Sequence, residues 1–215
     1  MPPFDRARDR LIEALRAKGI RHEGVLAAMR AVPRHEFVED ALKMRAWEDE
    51  ALPIGLAQTI SQPFTVAYQT ALLDPRPGEK ILEVGTGSGY QAAVLAEMGA
   101  RVFSVERHAT LLTRTNALLC RLGYRVRTLH GDGARGWPAV APFDGILVTA
   151  AAAEVPPALL DQLRPPAEGR RDARLVLPVG GTEGQTMVRL TRTGEAAFAR
   201  ETFDQFRFVP LVSGE

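Results

Sequence analysis

The sequence is poor in cysteine and carries almost no net charge. Its only cysteine, Cys120, cannot form an internal disulfide, so nothing points to an oxidising compartment. The opening MPPFDRARDR lacks the apolar core of a signal peptide, and no apolar run reaches membrane-spanning length. A formal net charge of +1 gives no reason to expect nucleic acid or a membrane surface as a partner. We therefore expect a cytoplasmic protein.

Metal-binding and repeat signatures are also missing from the sequence. The histidines are scattered, there is no cysteine pair, and no H-x-x-x-H spacing occurs, so we expect no metal ion. No internal repeat or low-complexity segment is present. With 215 residues, of which 46% are hydrophobic and 25% charged, the chain has the composition of a globular protein with a real core.

The spacing of apolar residues divides the chain into three parts. Helical spacing recurs at about residues 5–18, 25–32 and 35–47. These helices predict a small helical cap over residues 1–50. Residues 51–63 lack periodicity yet contain apolar side chains, which is typical of a functional loop that packs against the fold. Residues 64–215 form the predicted core, and we expect the whole chain, 1–215, to be a single domain.

The core alternates strand-like and helical runs, which predicts an α/β fold. Strand-like runs lie at residues 81–84, 101–105, 125–129, 145–149, 175–179, 187–190 and 203–211, and helical runs at 64–74, 90–98, 108–122 and 155–163. Helices between strands of this length indicate parallel βαβ units, whereas the last two strands have no helix between them. We therefore predict a doubly wound, mostly parallel, seven-stranded sheet with an antiparallel C-terminal edge.

The turn after the first core strand carries three glycines. Residues 80–91 read KILEVGTGSGYQ, in which an apolar strand leads through Gly85, Gly87 and Gly89 into a helical pattern. This arrangement offers free backbone N–H groups and a helix N-terminus to a ligand. The third glycine of the dinucleotide fingerprint is missing, and no P-loop lysine follows, which argues against ATP. A purely structural turn, with the buried Glu83 bonded to nearby backbone, is the alternative.

Candidate ligand-binding residues also follow the next parallel strands, where open α/β sheets bind their ligands. Glu106, followed by Arg107, could accept hydrogen bonds from both hydroxyls of a ribose, or could be a charge at the start of the next helix. Asp132 could accept from the amine of adenine while Gly133 offers its backbone, or both could be ordinary turn residues. Thr149 precedes a run of alanines whose small side chains would admit a flat ligand.

These strand ends together predict an adenosine-binding site. The spacing of the glycines favours S-adenosylmethionine over NAD as the cofactor.

Several stretches of the chain resemble the protein-L-isoaspartate O-methyltransferase family. They read LPIGLAQTISQP, ILEVGTGSGY, FDGILVTAAAAEVP, LVLPVGG and FVPLV, and MRAVPRHEFV is similar to that family's N-terminal signature. The similarity runs from about residue 11 to 212. The glycine motif is shared by many methyltransferases, whereas QTISQP is specific to this family. The resemblance implies a Rossmann-like class I methyltransferase fold.

The resemblance also implies an activity. Members of this family transfer a methyl group from S-adenosylmethionine to the α-carboxylate of L-isoaspartyl residues in age-damaged proteins and peptides, which starts their repair. S-adenosylhomocysteine is the other product. A monomer is expected, acting on damaged proteins and not on nucleic acid or membranes.

The matching motifs imply a role for individual residues. Ser61 matches the active-site serine of the family. The cofactor-contacting segments contain Glu83, Gly85, Gly87, Gly89, Glu106, Arg107, Asp132, Gly133 and Thr149. The substrate-side loop contains Gln58, Thr59 and Ile60, and we expect Val209 and Leu211 to offer backbone groups to an extended peptide. The sequence departs from the family pattern at Trp47, Ala57 and Phe64.

From the chemistry of the reaction we expect Ser61 to orient the acceptor carboxylate and not to act as a base or nucleophile. The acceptor carboxylate, with an ordinary pKa of about 4, is already ionised at neutral pH, so no general base is required. A nucleophilic serine is not expected, because no G-x-S-x-G elbow is present. Two alternatives stay open: a methyltransferase of the same fold with a different small-molecule, protein carboxylate or RNA acceptor, and a non-catalytic protein that retained the fold.

Overall fold

The computed structural model describes residues 4–181, 183–212 and 214, so the first residues of the predicted cap, 1–3, lie outside the described part. The helices are α1 (Asp5–Ala17), α2 (Glu23–Ala31), α3 (Pro63–Leu73), α4 (Tyr90–Glu97), α5 (Ala109–Arg121) and α6 (Pro157–Asp161). The strands are β1 (Leu52–Gly55), β2 (Gln58–Ile60), β3 (Lys80–Val84), β4 (Arg101–Glu106), β5 (Val126–His130), β6 (Gly145–Val148), β7 (Arg174–Gly181), β8 (Gly184–Arg192) and β9 (Phe198–Phe206). None of the helices in this part of the chain combines the length and apolar character needed to span a bilayer.

The seven-stranded sheet has the order β5-β4-β3-β6-β7-β8-β9. The first five strands in this order pair in parallel, whereas β8 and β9 are antiparallel to their neighbours. The predicted doubly wound sheet with an antiparallel C-terminal edge is therefore confirmed. Because the chain winds away from β3 in both directions, the carboxyl ends of β3 and β6 form the switch point, where such sheets bind ligands.

The N-terminal helices share one apolar core with the helix that follows the glycine turn. Leu15 of α1 and Met29 of α2 belong to the same buried cluster as Ala93 and Val94 of α4. Burial of these side chains removes apolar surface from water and holds α1 and α2 against the sheet domain. Val66 of α3 belongs to the same cluster, so the segment between α2 and α3 is anchored at both of its ends.

The prediction of a third helix over residues 35–47 is wrong. The chain instead forms short 3₁₀ turns at Arg34–Phe37 and Asp40–Leu42, separated by Val38 in an extended conformation with φ −126° and ψ 164°. Arg34, Phe37 and Val38 are consecutive or nearly so, and all are buried. This i, i+3, i+4 spacing would suit one face of a regular helix, yet the extended backbone at Val38 interrupts the helical conformation, so tertiary packing overrides the helical spacing.

The last strand was predicted at residues 203–211, but β9 begins and ends earlier, at Phe198–Phe206. A tight turn, in which Thr193 N donates to Ala197 O at 2.9 Å, starts β9 at Phe198. Past β9 the chain leaves the sheet, and Pro210 pairs with Ala151 through an isolated bridge. Proline has no N–H to donate and cannot continue a ladder of hydrogen bonds. Because Ala151 follows the carboxyl end of β6, this bridge places the terminal segment at that edge of the sheet.

The loop predicted over residues 51–63 contains a small β-hairpin that the sequence did not reveal. Strands β1 and β2 pair antiparallel, and the two residues between them, Leu56 and Ala57, have φ of 52° and 55°. Two-residue hairpin turns of this kind usually have the sequence Asn-Gly or Asp-Gly, because most side chains disfavour positive φ. Leu-Ala gives no such signal.

We expect Ala57→Gly to stabilise the protein by about 1 kcal/mol, because a left-handed conformation costs a non-glycine residue roughly 1–2 kcal/mol and glycine flexibility offsets part of the gain. Urea unfolding measures the change. Ala27→Gly, at an exposed position inside α2, is the matched control, and there glycine should destabilise by about 1 kcal/mol. Destabilisation by both substitutions would contradict the strain assigned to the hairpin.

Candidate functional site

Three glycines form the turn between β3 and α4. Gly85, Gly87 and Gly89 have φ of 96°, 53° and 87°, a region that favours glycine. A Cβ on Gly85 would also lie 2.5 Å from Oγ1 of Thr149. That hydroxyl contacts the carbonyl oxygens of Val84 at 3.0 Å and Gly85 at 2.8 Å, so it ties the end of β6 to the end of β3. The close approach at Gly85 leaves no room for a side chain.

A cavity opens in front of this turn, and we call it the glycine-turn cavity. Its lining includes eleven of the residues predicted from the sequence, namely Gln58, Thr59, Ile60, Ser61, Gly85, Glu106, Arg107, Gly133, Thr149, Val209 and Leu211. Four others, Glu83, Gly87, Gly89 and Asp132, lie outside the lining. Residues from the hairpin loop, four strand ends and the terminal segment therefore meet at one place.

A second cavity, which we call the outer cavity, adjoins the first. Its lining includes Asp49, Phe64, Phe206 and Phe208. The two cavities share four lining residues, namely Thr59, Ser61, Thr149 and Val209. A molecule in one cavity and a molecule in the other would approach each other at this shared wall.

Ser61 lies on that shared wall at the end of the hairpin loop. Its carbonyl oxygen accepts a hydrogen bond from Nη2 of Arg34 at 2.8 Å, which fixes the backbone. The next residue, Gln62, donates through Nε2 to the carbonyl of Asp49 at 2.9 Å. Within the described part of the chain the Ser61 hydroxyl makes no hydrogen bond, and the residue is only partly buried. The hydroxyl therefore lacks a competing partner in the protein.

Glu106, at the end of β4, is buried and faces the glycine turn. Its Oε2 accepts from the N–H of Gly87 at 2.8 Å, and its Oε1 accepts from the N–H of His108 at 2.9 Å. Each carboxylate oxygen has a further lone pair for another donor. The residue thus supports the turn and the start of α5 while lining the cavity, so its predicted contact with a ribose is compatible with these bonds.

Glu83 lies beneath the turn and is completely buried. Its Oε2 accepts a hydrogen bond from the hydroxyl of Ser104, whose oxygen lies 2.6 Å from Oγ1 of Thr86. Oε1 of Glu83 has no hydrogen-bond partner among the described residues. Burial raises the pKa of Glu83 to about 8, and the nearby negative charge of Glu106 adds to the increase. Glu83 is therefore mainly protonated at neutral pH, and its predicted cofactor contact stays a prediction.

Asp132 and Gly133 follow β5 and lie beside the cavity. A Cβ on Gly133 would lie 2.4 Å from Cγ1 of Val84, so the backbone comes close to β3 there. Asp132 accepts from the N–H of Ala134 through Oδ1 at 2.9 Å and from the N–H of Gly214 through Oδ2 at 3.1 Å. Asp132 thus holds its own turn and the terminal segment, while its predicted contact with adenine stays a prediction.

The terminal segment forms one wall of the glycine-turn cavity. Nη1 of Arg107 donates to the carbonyl of Val212 at 3.1 Å and to that of Gly214 at 2.6 Å. Ala151 N donates to the carbonyl of Val209 at 2.8 Å, and Leu211 N donates to the carbonyl of Ala151 at 2.6 Å. These two backbone groups of Val209 and Leu211 are therefore already paired, and our expectation that they are free to bind a peptide is wrong for them.

The glycine-turn cavity is also lined by residues that were not predicted from the sequence, among them Val66, Tyr90, Gln91, His108 and Ala150. Tyr90 and Gln91 directly follow the last glycine, and their position at the N-terminus of α4 was a usable signal. Within the described ranges no group of three or more His, Cys, Asp or Glu side chains is arranged to hold a metal ion.

Comparison with known proteins gives relatives across the whole chain. A model of the protein-L-isoaspartate(D-aspartate) O-methyltransferase family matches residues 6–215. A protein-L-isoaspartate O-methyltransferase of Salinibacter ruber is 63% identical over 210 residues, which cover 95% of this chain and 91% of that protein. One of Methylorubrum extorquens is 51% identical over 215 residues, covering 100% of this chain and 92% of that protein.

Solved structures show the same fold. A structure of a protein-L-isoaspartate O-methyltransferase aligns with a TM-score of 0.83 at 26% identity, covering 96% of this chain, although this chain spans only 66% of that one. A Plasmodium falciparum protein assigned to the same class, solved with S-adenosyl-L-homocysteine, aligns with a TM-score of 0.79 at 23% identity and covers 94% of this chain and 97% of that one. With the glycine turn, Glu106 and Ser61 gathered at the switch point of such a sheet, the chain belongs to the protein-L-isoaspartate(D-aspartate) O-methyltransferase family, whose members depend on S-adenosylmethionine.

Proposed function

We propose that this protein transfers a methyl group from S-adenosylmethionine to the α-carboxylate of L-isoaspartyl residues in damaged proteins and peptides. The observation that carries the proposal is the position of Ser61 on the wall shared by the glycine-turn cavity and the outer cavity. Family membership and relatives at 51–63% identity support the same reaction. The cofactor would occupy the first cavity and the acceptor would enter through the second.

The residues of the glycine-turn cavity fit an adenosine-containing cofactor. The backbone comes close at Gly85 and Gly133, where a Cβ would collide with a neighbour, and Glu106 has lone pairs left for the hydroxyls of a ribose. Arg107 and Asp132 would act at the edge of the site by holding the terminal segment. When bound, S-adenosylmethionine supplies an electrophilic methyl group on its sulfonium sulfur.

Ser61 orients the acceptor in this proposal. Because the acceptor carboxylate is ionised at neutral pH, the protein has no proton to remove and must supply alignment. The hydroxyl of Ser61, which no other described residue engages, donates a hydrogen bond to one carboxylate oxygen, and Gln58, Thr59 and Ile60 line the approach. The charges of carboxylate and sulfonium cancel as the methyl group moves, so a site with little water favours the reaction.

The reaction is tested with matched peptides that differ only in the isoaspartyl or aspartyl linkage, incubated with methyl-labelled S-adenosylmethionine. An isoaspartyl residue adds a methylene to the main chain and displaces the carboxylate by about one bond. Since a misplacement of about 1 Å can cost roughly a hundredfold in rate, we expect methyl incorporation into the isoaspartyl peptide and about a hundredfold less into its isomer. Equal rates, or labelling of neither peptide, would contradict the proposed function and favour another acceptor or a non-catalytic role.

We expect Glu106→Ala to weaken binding of S-adenosylmethionine, measured by calorimetry, by about 1–3 kcal/mol, the cost of losing a charged hydrogen-bonding partner. Glu97→Ala is the matched control, since it removes one negative charge from an exposed position at the end of α4. Thermal unfolding of both variants shows whether the glycine turn survives the loss of the Gly87 hydrogen bond. Unchanged affinity in a folded Glu106→Ala protein would contradict the proposal that Glu106 binds the ribose of the cofactor.

We treat residues 1–215 as a single methyltransferase domain with a helical cap (1–50), an active-site loop (51–63) and a Rossmann-like core (64–215). The hairpin and Ser61 inside 51–63 support this division. Damaged proteins are the proposed partners of a monomeric, cytoplasmic enzyme that needs no metal.

A further inference from the structure

Arg34 is completely buried, and within the described part of the chain it forms no ion pair with a carboxylate. Its guanidinium bonds to backbone carbonyl groups instead, and its Nη1 has no hydrogen-bond partner among the residues that the structure describes. Burial lowers the pKa of Arg34 because the charged form is removed from water. Retaining such a group is costly, and a well-packed apolar side chain of similar volume is often no less stable in such a place. Stability alone therefore gives no reason for an arginine here.

The carbonyl groups that Arg34 binds come from both ends of one segment. Nε donates to the carbonyl of Ala46 at 2.8 Å, and Nη2 donates to that of Ser61 at 2.8 Å, with a longer contact to Glu50 at 3.5 Å. Residues 46–61 contain the whole hairpin between these contacts. One planar guanidinium therefore closes the base of the loop that carries Ser61, and the compact ammonium group of a lysine lacks this spread of fixed donors.

Arg34 also touches the element that follows the glycine turn. Its guanidinium carbon lies 4.7 Å from the centre of the Tyr90 ring, a cation–π contact. Tyr90 is the first residue of α4 and lines the glycine-turn cavity, and its ring packs edge-on against Phe37 at 5.5 Å. The same side chain thus contacts the Ser61 backbone on one side and a wall of the glycine-turn cavity on the other.

We propose that Arg34 is a positioning residue that holds Ser61 in a fixed position relative to the glycine-turn cavity. It does so by binding both ends of segment 46–61, and we call this set of contacts the clamp. The proposal rests on the acceptor role of Ser61 in the proposed function. Arg34 lines neither the glycine-turn cavity nor the outer cavity, so its loss should change the alignment of two bound molecules more than the binding of either.

Arg34→Lys and Arg34→Met test the clamp through steady-state kinetics on the isoaspartyl peptide. We expect kcat to fall about tenfold to a hundredfold in both variants, since misplacement by about 1 Å can cost that much, while the peptide KM and the S-adenosylhomocysteine Kd stay unchanged. Lysine should fail to restore kcat although it keeps the charge. Full recovery with lysine would overturn the clamp in favour of simple charge.

Leu159→Ala controls for a general loss of stability. Leu159 is completely buried in α6, within a core cluster separate from the one that contains the N-terminal helices. This variant should unfold at a lower temperature yet keep the wild-type kcat at temperatures where it is folded. If Leu159→Ala lowers kcat as much as the Arg34 variants do, the effect of Arg34 is structural and the proposal fails.

Amide hydrogen exchange of the ligand-free protein measures how firmly Arg34 holds segment 46–61, without any assay of activity. In Arg34→Lys we expect faster amide exchange confined to residues 46–61, with the central sheet unchanged. Should the wild-type protein fail to methylate the isoaspartyl peptide, the proposed function falls while this exchange result still supports the clamp. Wild-type activity combined with unchanged exchange and unchanged kcat in the Arg34 variants would overturn the inference about Arg34 alone.

Discussion

Ser61→Ala should lower turnover of the isoaspartyl peptide by about a hundredfold while leaving the affinity for S-adenosylhomocysteine unchanged. The hydroxyl lies on the wall that the two cavities share, and it is not bonded to another described residue. Its loss would let the acceptor carboxylate rotate away from the line of attack. The cofactor would keep its contacts with Glu106 and the glycine turn, which come from different elements of the fold.

Single-turnover methylation and calorimetry with S-adenosylhomocysteine measure the two quantities separately. Thr113→Ala, which removes a hydroxyl from an exposed position of α5, is the matched control and should behave as the wild-type protein. Ser61→Thr keeps a hydroxyl at the site and should recover part of the rate. If Ser61→Ala weakens S-adenosylhomocysteine binding yet turns over normally at saturation, the serine belongs to the cofactor side and the assignment is wrong.

The sheet was predictable from the sequence because its signals are local. Buried parallel strands read as short apolar runs such as the one before Gly85, and helices of regular spacing separate them. The same runs also placed the candidate residues, since every parallel strand presents its carboxyl end to the same edge of the sheet. Glu106, Gly133 and Thr149 were found in this way and all line one cavity.

The features that the sequence did not reveal depend on distant contacts. The turn at Leu56 and Ala57 adopts positive φ without a glycine, so its hairpin gives no local signal. Arg34 lies between the predicted helical stretches 25–32 and 35–47, and only the folded chain shows that it is buried against carbonyl groups from residues 46 and 61. The paired backbone of the terminal segment likewise depends on Ala151, nearly sixty residues earlier.

The second large effect is expected at Glu83, where stability should depend on pH. The pKa of its carboxyl is raised by burial from 4.5 to about 8 in the folded protein. Between these two pH values the folded protein keeps a proton that the unfolded chain has released. Unfolding therefore becomes more favourable as pH rises, by about 1.4 kcal/mol per pH unit, and this contribution stops changing below about 4.5 and above about 8.

Glu83→Gln removes this titration while keeping the shape of the side chain, so the variant should gain stability relative to the wild-type protein as pH rises from 5 to 8. The gain should be on the order of 4 kcal/mol over the full interval, whatever constant cost the amide adds beside Ser104. Urea unfolding at several pH values measures the difference, and carbon-13 NMR of the Glu83 carboxyl follows the proton directly. Parallel stability curves for the two proteins, or a carboxyl that titrates near pH 4.5 when folded, would show that Glu83 is ionised in its buried position and that its charge is compensated by contacts beyond Ser104.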